Sequence, residues 1–171
     1  VGFNGILRTT DGGDNWAVGH DKGGFEVFFF DANRGWTVGG NTINRTTDGG
    51  QSWVTQTTNY WLHGVYFVNP NIGWAVGADD ILRTTDGGEN WVKQEVDTAR
   101  YQYYNDVCFV DEKTGFIVGG GQRNNENECV VLRTTDGGNS WAKRFIGIVG
   151  AWNSALSVCF TDVNNGTAVG R

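Results

Sequence analysis

The sequence predicts an all-β fold, a propeller of four-stranded antiparallel blades. Three observations predict it. A glycine-rich string ending in Trp recurs four times at blade-sized intervals. Short β-branched and aromatic runs lie between the copies, none with a 3.6-residue period. The composition suits short strands and tight turns, with 27 Gly in 171 residues, 13% aromatic residues and one Pro.

The recurring string is Thr9-Thr10-Asp11-Gly12-Gly13-Asp14-Asn15-Trp16, repeated at residues 46–53, 84–91 and 134–141. The Trp-to-Trp intervals are 37, 38 and 50 residues. Strand a of each unit is Val27-Phe28-Phe29, Val65-Tyr66-Phe67, Val107-Cys108-Phe109 or Val158-Cys159-Phe160. Strand b is the Gly-x-x-Val-Gly segment that starts at Gly35, Gly73, Gly115 or Gly166. Strand c is the run that carries Arg8, Arg45, Arg83 or Arg133 into the box, and strand d starts at the box Trp. In strand a large or Cys side chains alternate with Val and Phe, so both of its faces read as buried. It is therefore the innermost strand. One such unit cannot bury both faces alone, so the units must stack radially. The whole chain, 1–171, reads as one propeller domain of about four repeats whose ends fall within a blade. It either closes on itself or forms part of a larger ring, and the second reading is preferred.

These strings identify a family. The box resembles the Asp-box (BNR) repeat, and with Gly-Trp-x-Val-Gly and Ile-Leu-Arg-Thr-Thr-Asp-Gly-Gly it resembles the photosystem II stability/assembly factor family and its bacterial relatives. That resemblance implies a seven-bladed ring, a protein client, an arginine-rich contact surface and an extracytoplasmic location, whether secreted, periplasmic or lumenal. Asp boxes also occur in sialidases, xyloglucanase-type hydrolases and sorting receptors.

The box residues read as architecture. Asp11, Asp48, Asp86 and Asp136 are placed to accept hydrogen bonds from turn amides. Trp16, Trp53, Trp91 and Trp141 offer apolar area between blades. Four identical copies fit a scaffold better than four active sites. The repeated Arg residues read the same way, as ion pairs or backbone contacts between blades.

Function is expected where the repeats differ. In an up-down meander the a–b and c–d turns share one rim, and the b–c and d–a connections share the other. From the Gly closing strand b to the Arg of strand c is 6 residues in three units and 14 in the fourth, Gly119 to Arg133. From the box Trp to the next strand-a Val is 11, 12, 16 and 17 residues. All length variation thus falls on one rim, and variable loops on a rigid scaffold are where binding resides. The candidate binding residues there are Trp61, His63, Arg100, Tyr101, Tyr103, Tyr104, Arg123 and Trp152. Exposed Trp and Tyr beside Arg suit a protein hot spot. The same aromatics could stack on a sugar or plug the channel.

Other chemistries are thinly supplied. The net charge of −6 and pI near 4.8 argue against nucleic acid. No apolar run is long enough to span a membrane. With two His and three Cys, none in a CxxC pair, neither a metal site nor a cofactor is expected. Glycosidases need paired carboxylates, for which Asp79, Asp80, Asp97, Asp106, Glu126 and Glu128 qualify by location only. The expectation is a non-enzymatic scaffold that binds a protein. The alternatives are a secreted carbohydrate-binding or glycoside-hydrolase module, and a repeat region of a bacterial surface protein. Self-association to complete the ring is a further possibility.

Overall fold

A computed structural model describes residues 5–96, 102–123, 126–145 and 154–170; the side chains of 122–128 and 145 lie outside the description. Fourteen strands and no helix occur among these residues. They are β1 (Ile6–Arg8), β2 (Ala17–His20), β3 (Glu26–Phe29), β4 (Gly35–Thr46), β5 (Val54–Phe67), β6 (Gly73–Gly77) and β7 (Asp80–Thr84). They continue with β8 (Val92–Lys93), β9 (Gln102–Phe109), β10 (Gly115–Arg123), β11 (Glu126–Thr134), β12 (Ala142–Phe145), β13 (Ala155–Phe160) and β14 (Gly166–Gly170). Strands β9 to β12 form one antiparallel four-stranded blade in sequence order. Strand a (β9) lies at one edge and strand d (β12) at the other, as a meander of short connections requires.

The second and third repeats run on in one sheet, β3-β4-β5-β6-β7-β8, because β4 carries strands b and c of one repeat and β5 carries strand d of that repeat and strand a of the next. The first half of β4 pairs with β3 and its second half with β5. The reversal falls at Gly40, whose φ of 55° suits a tight turn. Across it the Asn44 side-chain amide donates to Thr37 Oγ1 at 2.9 Å. Strand β5 likewise serves as outer strand of one repeat through Val54–Thr57 and inner strand of the next through Leu62–Phe67. No Gly or Pro lies between these halves, and a bulge at residues 58–61 shifts the register with β4. Among the described residues β1 pairs with β2 alone, and β13 with β14 alone.

The core lies between blades, and aromatic stacking builds it. Trp36 of β4 stacks on Phe67 of β5, with centroids 3.6 Å apart and planes 12° apart. Trp74 stacks on Phe109 at 3.7 Å, and Phe116 on Phe160 at 3.5 Å. Each strand-a Phe also meets the box Trp of its own blade edge-on: Phe29 with Trp53, Phe67 with Trp91 and Phe109 with Trp141, at interplanar angles of 83–85°. Phe67 and Phe109 thus each have a neighbour on the face and another at the edge, the preferred aromatic geometry. The repeated Gly before the b-strand aromatic makes room for it. A Cβ at Gly73 would fall 2.6 Å from the Phe67 ring, and the same holds for Gly35 against Phe29. Of the two repeated cysteines expected to be buried, Cys108 is, whereas Cys159 on β13 is exposed.

Truncating one of these stacks should be costly. Trp74→Ala is expected to lower unfolding free energy by about 3–5 kcal/mol, read as a shift of the urea midpoint. Gly73→Ala should destabilise in the same direction by forcing Phe67 out of its stack.

Candidate binding surface

The two rims differ in construction. On the first, each Asp-box turn is closed upon itself. Asp48 Oδ1 accepts from Thr46 Oγ1 at 2.8 Å and from the Ser52 amide at 2.9 Å, and Oδ2 accepts from Ser52 Oγ at 2.6 Å. The Gly50 amide donates to Thr46 Oγ1 at 2.9 Å. The same bonds recur at Asp11, Asp86 and Asp136, with Asn15, Asn90 and Ser140 as the partners. Hydrogen bonds from the Ser52 side chain and backbone hold the Asp48 carboxyl down to about 2; those from Asn90 do the same for Asp86. The box is then tied to the a–b turn of its own blade: Gly49 N to Asn33 O at 2.8 Å, Gly87 N to Asn71 O at 2.9 Å and Gly137 N to Lys113 O at 2.9 Å. Box carboxylates engaged in this way have few lone pairs left for a ligand.

The repeated Arg residues are also internal. Arg8 Nε donates to Gly49 O of the next repeat at 3.0 Å. Arg45 pairs with Glu89 at 3.3 Å. Arg83 and Arg133 lie over the Trp74 and Phe116 rings, each 5.8 Å from the centroid.

The second rim gathers the b–c and d–a connections. The Ala78 amide donates to Trp61 O at 2.9 Å, and Ala78 forms a β-bridge with Tyr103. Asp79, at φ 57°, accepts the Gln102 amide at 2.6 Å, while its own amide donates to Gln102 O. Asp80 forms an ion pair with Lys93 at 2.7 Å. Both aspartates therefore serve the connection and are not poised as a catalytic pair.

Trp61 is 50% exposed and Tyr103 55%. Trp61 lies 6.5 Å from Phe25, which lies 5.3 Å from His63. Burial pushes the His63 imidazole below its ordinary value, so it is neutral near pH 7. A cavity of about 230 Å³ beside Trp61 is lined by Asp21, Lys22, Phe25, Gly40 and Asn41 among others. A second, of about 290 Å³, shares Phe25 and descends to Glu26, His63, Asn105, Asp106 and Leu156 on the inner strands.

Tyr104 departs from expectation. It is 2% exposed and packs in the core with Trp74, Val107 and Ile117. Neighbouring strand residues point to opposite faces, so the exposure of Tyr103 places Tyr104 inside. Arg100, Tyr101 and Trp152 lie outside the described residues, as does the side chain of Arg123.

Phe25 and Glu26 were not singled out by the sequence. They precede the repeated strand-a Val, at positions occupied by His63-Gly64, Asn105-Asp106 and Leu156-Ser157 in the other repeats. Variation there, within an otherwise repeated strand, was the available signal. Glu26 Oε2 accepts the Val65 amide at 2.6 Å. Asp106 Oδ2 accepts Ser157 Oγ at 2.7 Å and the Val158 amide at 2.8 Å. Each acid thus clasps the inner strand of the following blade. Burial, and secondarily the charge of Asp106, push the Glu26 carboxyl up to about 8.

The sequence profile of the photosynthesis system II assembly factor YCF48 matches residues 17–98 and 54–143. The chain belongs to this family. Among solved structures, a YCF48 bound to D1 peptide is 29% identical, with a TM-score of 0.58 over 72% of this chain and 41% of that one. YCF48 from Cyanidioschyzon merolae is 22% identical, with a TM-score of 0.61 over 80% of this chain and 46% of that one. The GH74 xyloglucanase from Xanthomonas campestris shares the fold at 13% identity, with a TM-score of 0.75 over 97% of this chain and 32% of that one. The family member thus spans under half of these chains. No curated protein matches the sequence. Among the described residues no helix is long and apolar enough to cross a membrane.

The raised Glu26 carboxyl sets a pH dependence. Between about 4.5, its unfolded value, and about 8, the folded chain holds a proton that the unfolded chain has released. Its contribution is therefore full below that window and is lost as pH rises through it. Melting temperature measured from pH 5 to 9 should fall more steeply for the wild type than for Glu26→Gln, which keeps an acceptor for Val65.

Proposed function

We propose that this chain is a non-enzymatic propeller segment that binds a protein client on its second rim, with Trp61, Tyr103 and Phe25 as the aromatic contacts. The observation that carries the reading is the contrast between rims: one is closed by repeated internal bonds, and the other concentrates unrepeated, half-exposed aromatics. Family membership supports a client-binding role, and the related structure that holds a D1 peptide supplies a client class, a peptide segment. Half-exposed Trp and Tyr on a rigid rim supply large contact area at low entropic cost. Arg100, Tyr101, Arg123 and Trp152 belong to the same proposed surface by their place in the connections. A thylakoid-lumenal or otherwise extracytoplasmic location follows from the family resemblance.

The test separates surface from scaffold. In fluorescence anisotropy with a labelled D1 peptide, Trp61→Ala should weaken binding at least about tenfold, roughly 1.4 kcal/mol, without changing the melting temperature. Asp86→Ala should lower the melting temperature and leave affinity unchanged. Equal affinity of Trp61→Ala and wild type would refute the reading, as would release of sugars from xyloglucan by the wild type.

A further inference from the structure

We infer that the cavity between Phe25 and the inner strands takes a basic side chain, arginine or lysine, of the bound client. The inference rests on the client-binding reading and adds the chemistry of one contact. The two cavities adjoin at Phe25, which lines both. The inner one has the half-exposed Phe25 ring and the His63 imidazole on its wall. Its floor carries two carboxyls, Glu26 on β3 and Asp106 on β9.

The repeat explains why two acids share the floor. The position equivalent to Glu26 and Asp106 on the intervening β5 is Gly64. A Cβ there would fall 2.9 Å from Asn105 O, so only backbone separates the two acid-bearing strands. Glu26 uses one oxygen on Val65; its Oε1 takes no hydrogen bond among the described residues. The charged and titratable groups around Glu26 are few. Asp106 lies on β9 and neutral His63 on β5, β13 offers only Leu156 and Ser157, and the β2–β3 connection brings Asp21 and Lys22 to the adjoining cavity. No ion pair joins Lys22 to either acid among the described residues.

Asp106 is met by the Val107 and Val158 amides and the Ser157 hydroxyl, so the open acceptor at the floor is Glu26 Oε1, beside a second acid and, among the described residues, no cation. Two like charges in a partly buried site cannot both ionise cheaply, and Glu26 retains a proton well above its usual range. A guanidinium or ammonium entering the cavity meets an aromatic face first, which favours a cation. It then meets the carboxyls, which it pairs. An anion would be repelled, and an aliphatic side chain would desolvate the acids with nothing in return. The chain's net charge of −6 favours a basic partner as well. Entry of the cation displaces the Glu26 proton to solvent, so binding and deprotonation are linked.

The probes are N-acetyl-arginine N-methylamide and its citrulline counterpart, which has the same shape without the charge. Titrations of the chain are followed by tryptophan fluorescence, with calorimetry in two buffers of different ionisation enthalpy. The arginine probe should bind saturably and the citrulline probe at least about tenfold more weakly. Affinity for arginine should rise by up to about tenfold per pH unit from pH 6 to 8 and level off above. The wild type should release about one proton on binding at pH 7. Glu26→Gln, once its melt shows it folded, should bind with no such pH dependence. Equal binding of the two probes, no saturable binding, or no proton release by the wild type would each overturn the inference. A chain that binds D1 peptide through Trp61 yet fails these tests would keep the client-binding reading and lose this one.

Discussion

The stack between neighbouring blades is the constraint on which the rest of the structure depends. Phe67 has Trp36 of the preceding repeat on its face and Trp91 of its own repeat at its edge. Those contacts fix the distance between blades, and the repeated glycine is the condition for them. Once the spacing is set, the box turn falls next to the a–b turn and the two bond through the Gly87 and Gly137 amides. The recurring residues of the chain are almost all consumed by this one geometry, each turn and ring supporting the next.

A division of labour follows. A rim whose box carboxylates and glycine amides serve internal bonds has little left to recognise a ligand with. The opposite rim rests on the same blades without sharing its sequence restraints. Trp61 stands half exposed beside Gly40, with the tilted Phe25 ring 6.5 Å away. The acids on the inner strands sit at the boundary between these regimes. Glu26 and Asp106 hold adjacent blades together through Val65 and Val158, yet both also line the cavity that opens toward the irregular rim.

Much of this was legible in the sequence. Four boxes, four Gly-x-x-Val-Gly strings and constant internal spacings determine strand order, because a meander of such short turns has few alternatives. The division between rims followed from loop lengths alone. What escaped were facts about which way a side chain points. Tyr103 and Tyr104 are adjacent and equally aromatic, and only strand parity at the start of β9 decides that one faces solvent and the other the core. The carboxyls of Glu26 and Asp106 lie 80 residues apart in sequence, and radial packing alone brings them to one cavity, with Gly64 between. The continuity of β5 from one repeat into the next also left no sequence mark beyond the lack of Gly or Pro between Thr57 and Leu62.

That continuity has a mechanical consequence. Strand β5 passes from the β4 ladder at Val54–Thr57 to the β6 ladder at Leu62–Phe67 as one backbone, with Trp61 in the bulge between them. A load applied at Trp61 is therefore handed to two repeats through the chain itself, without crossing a side-chain contact.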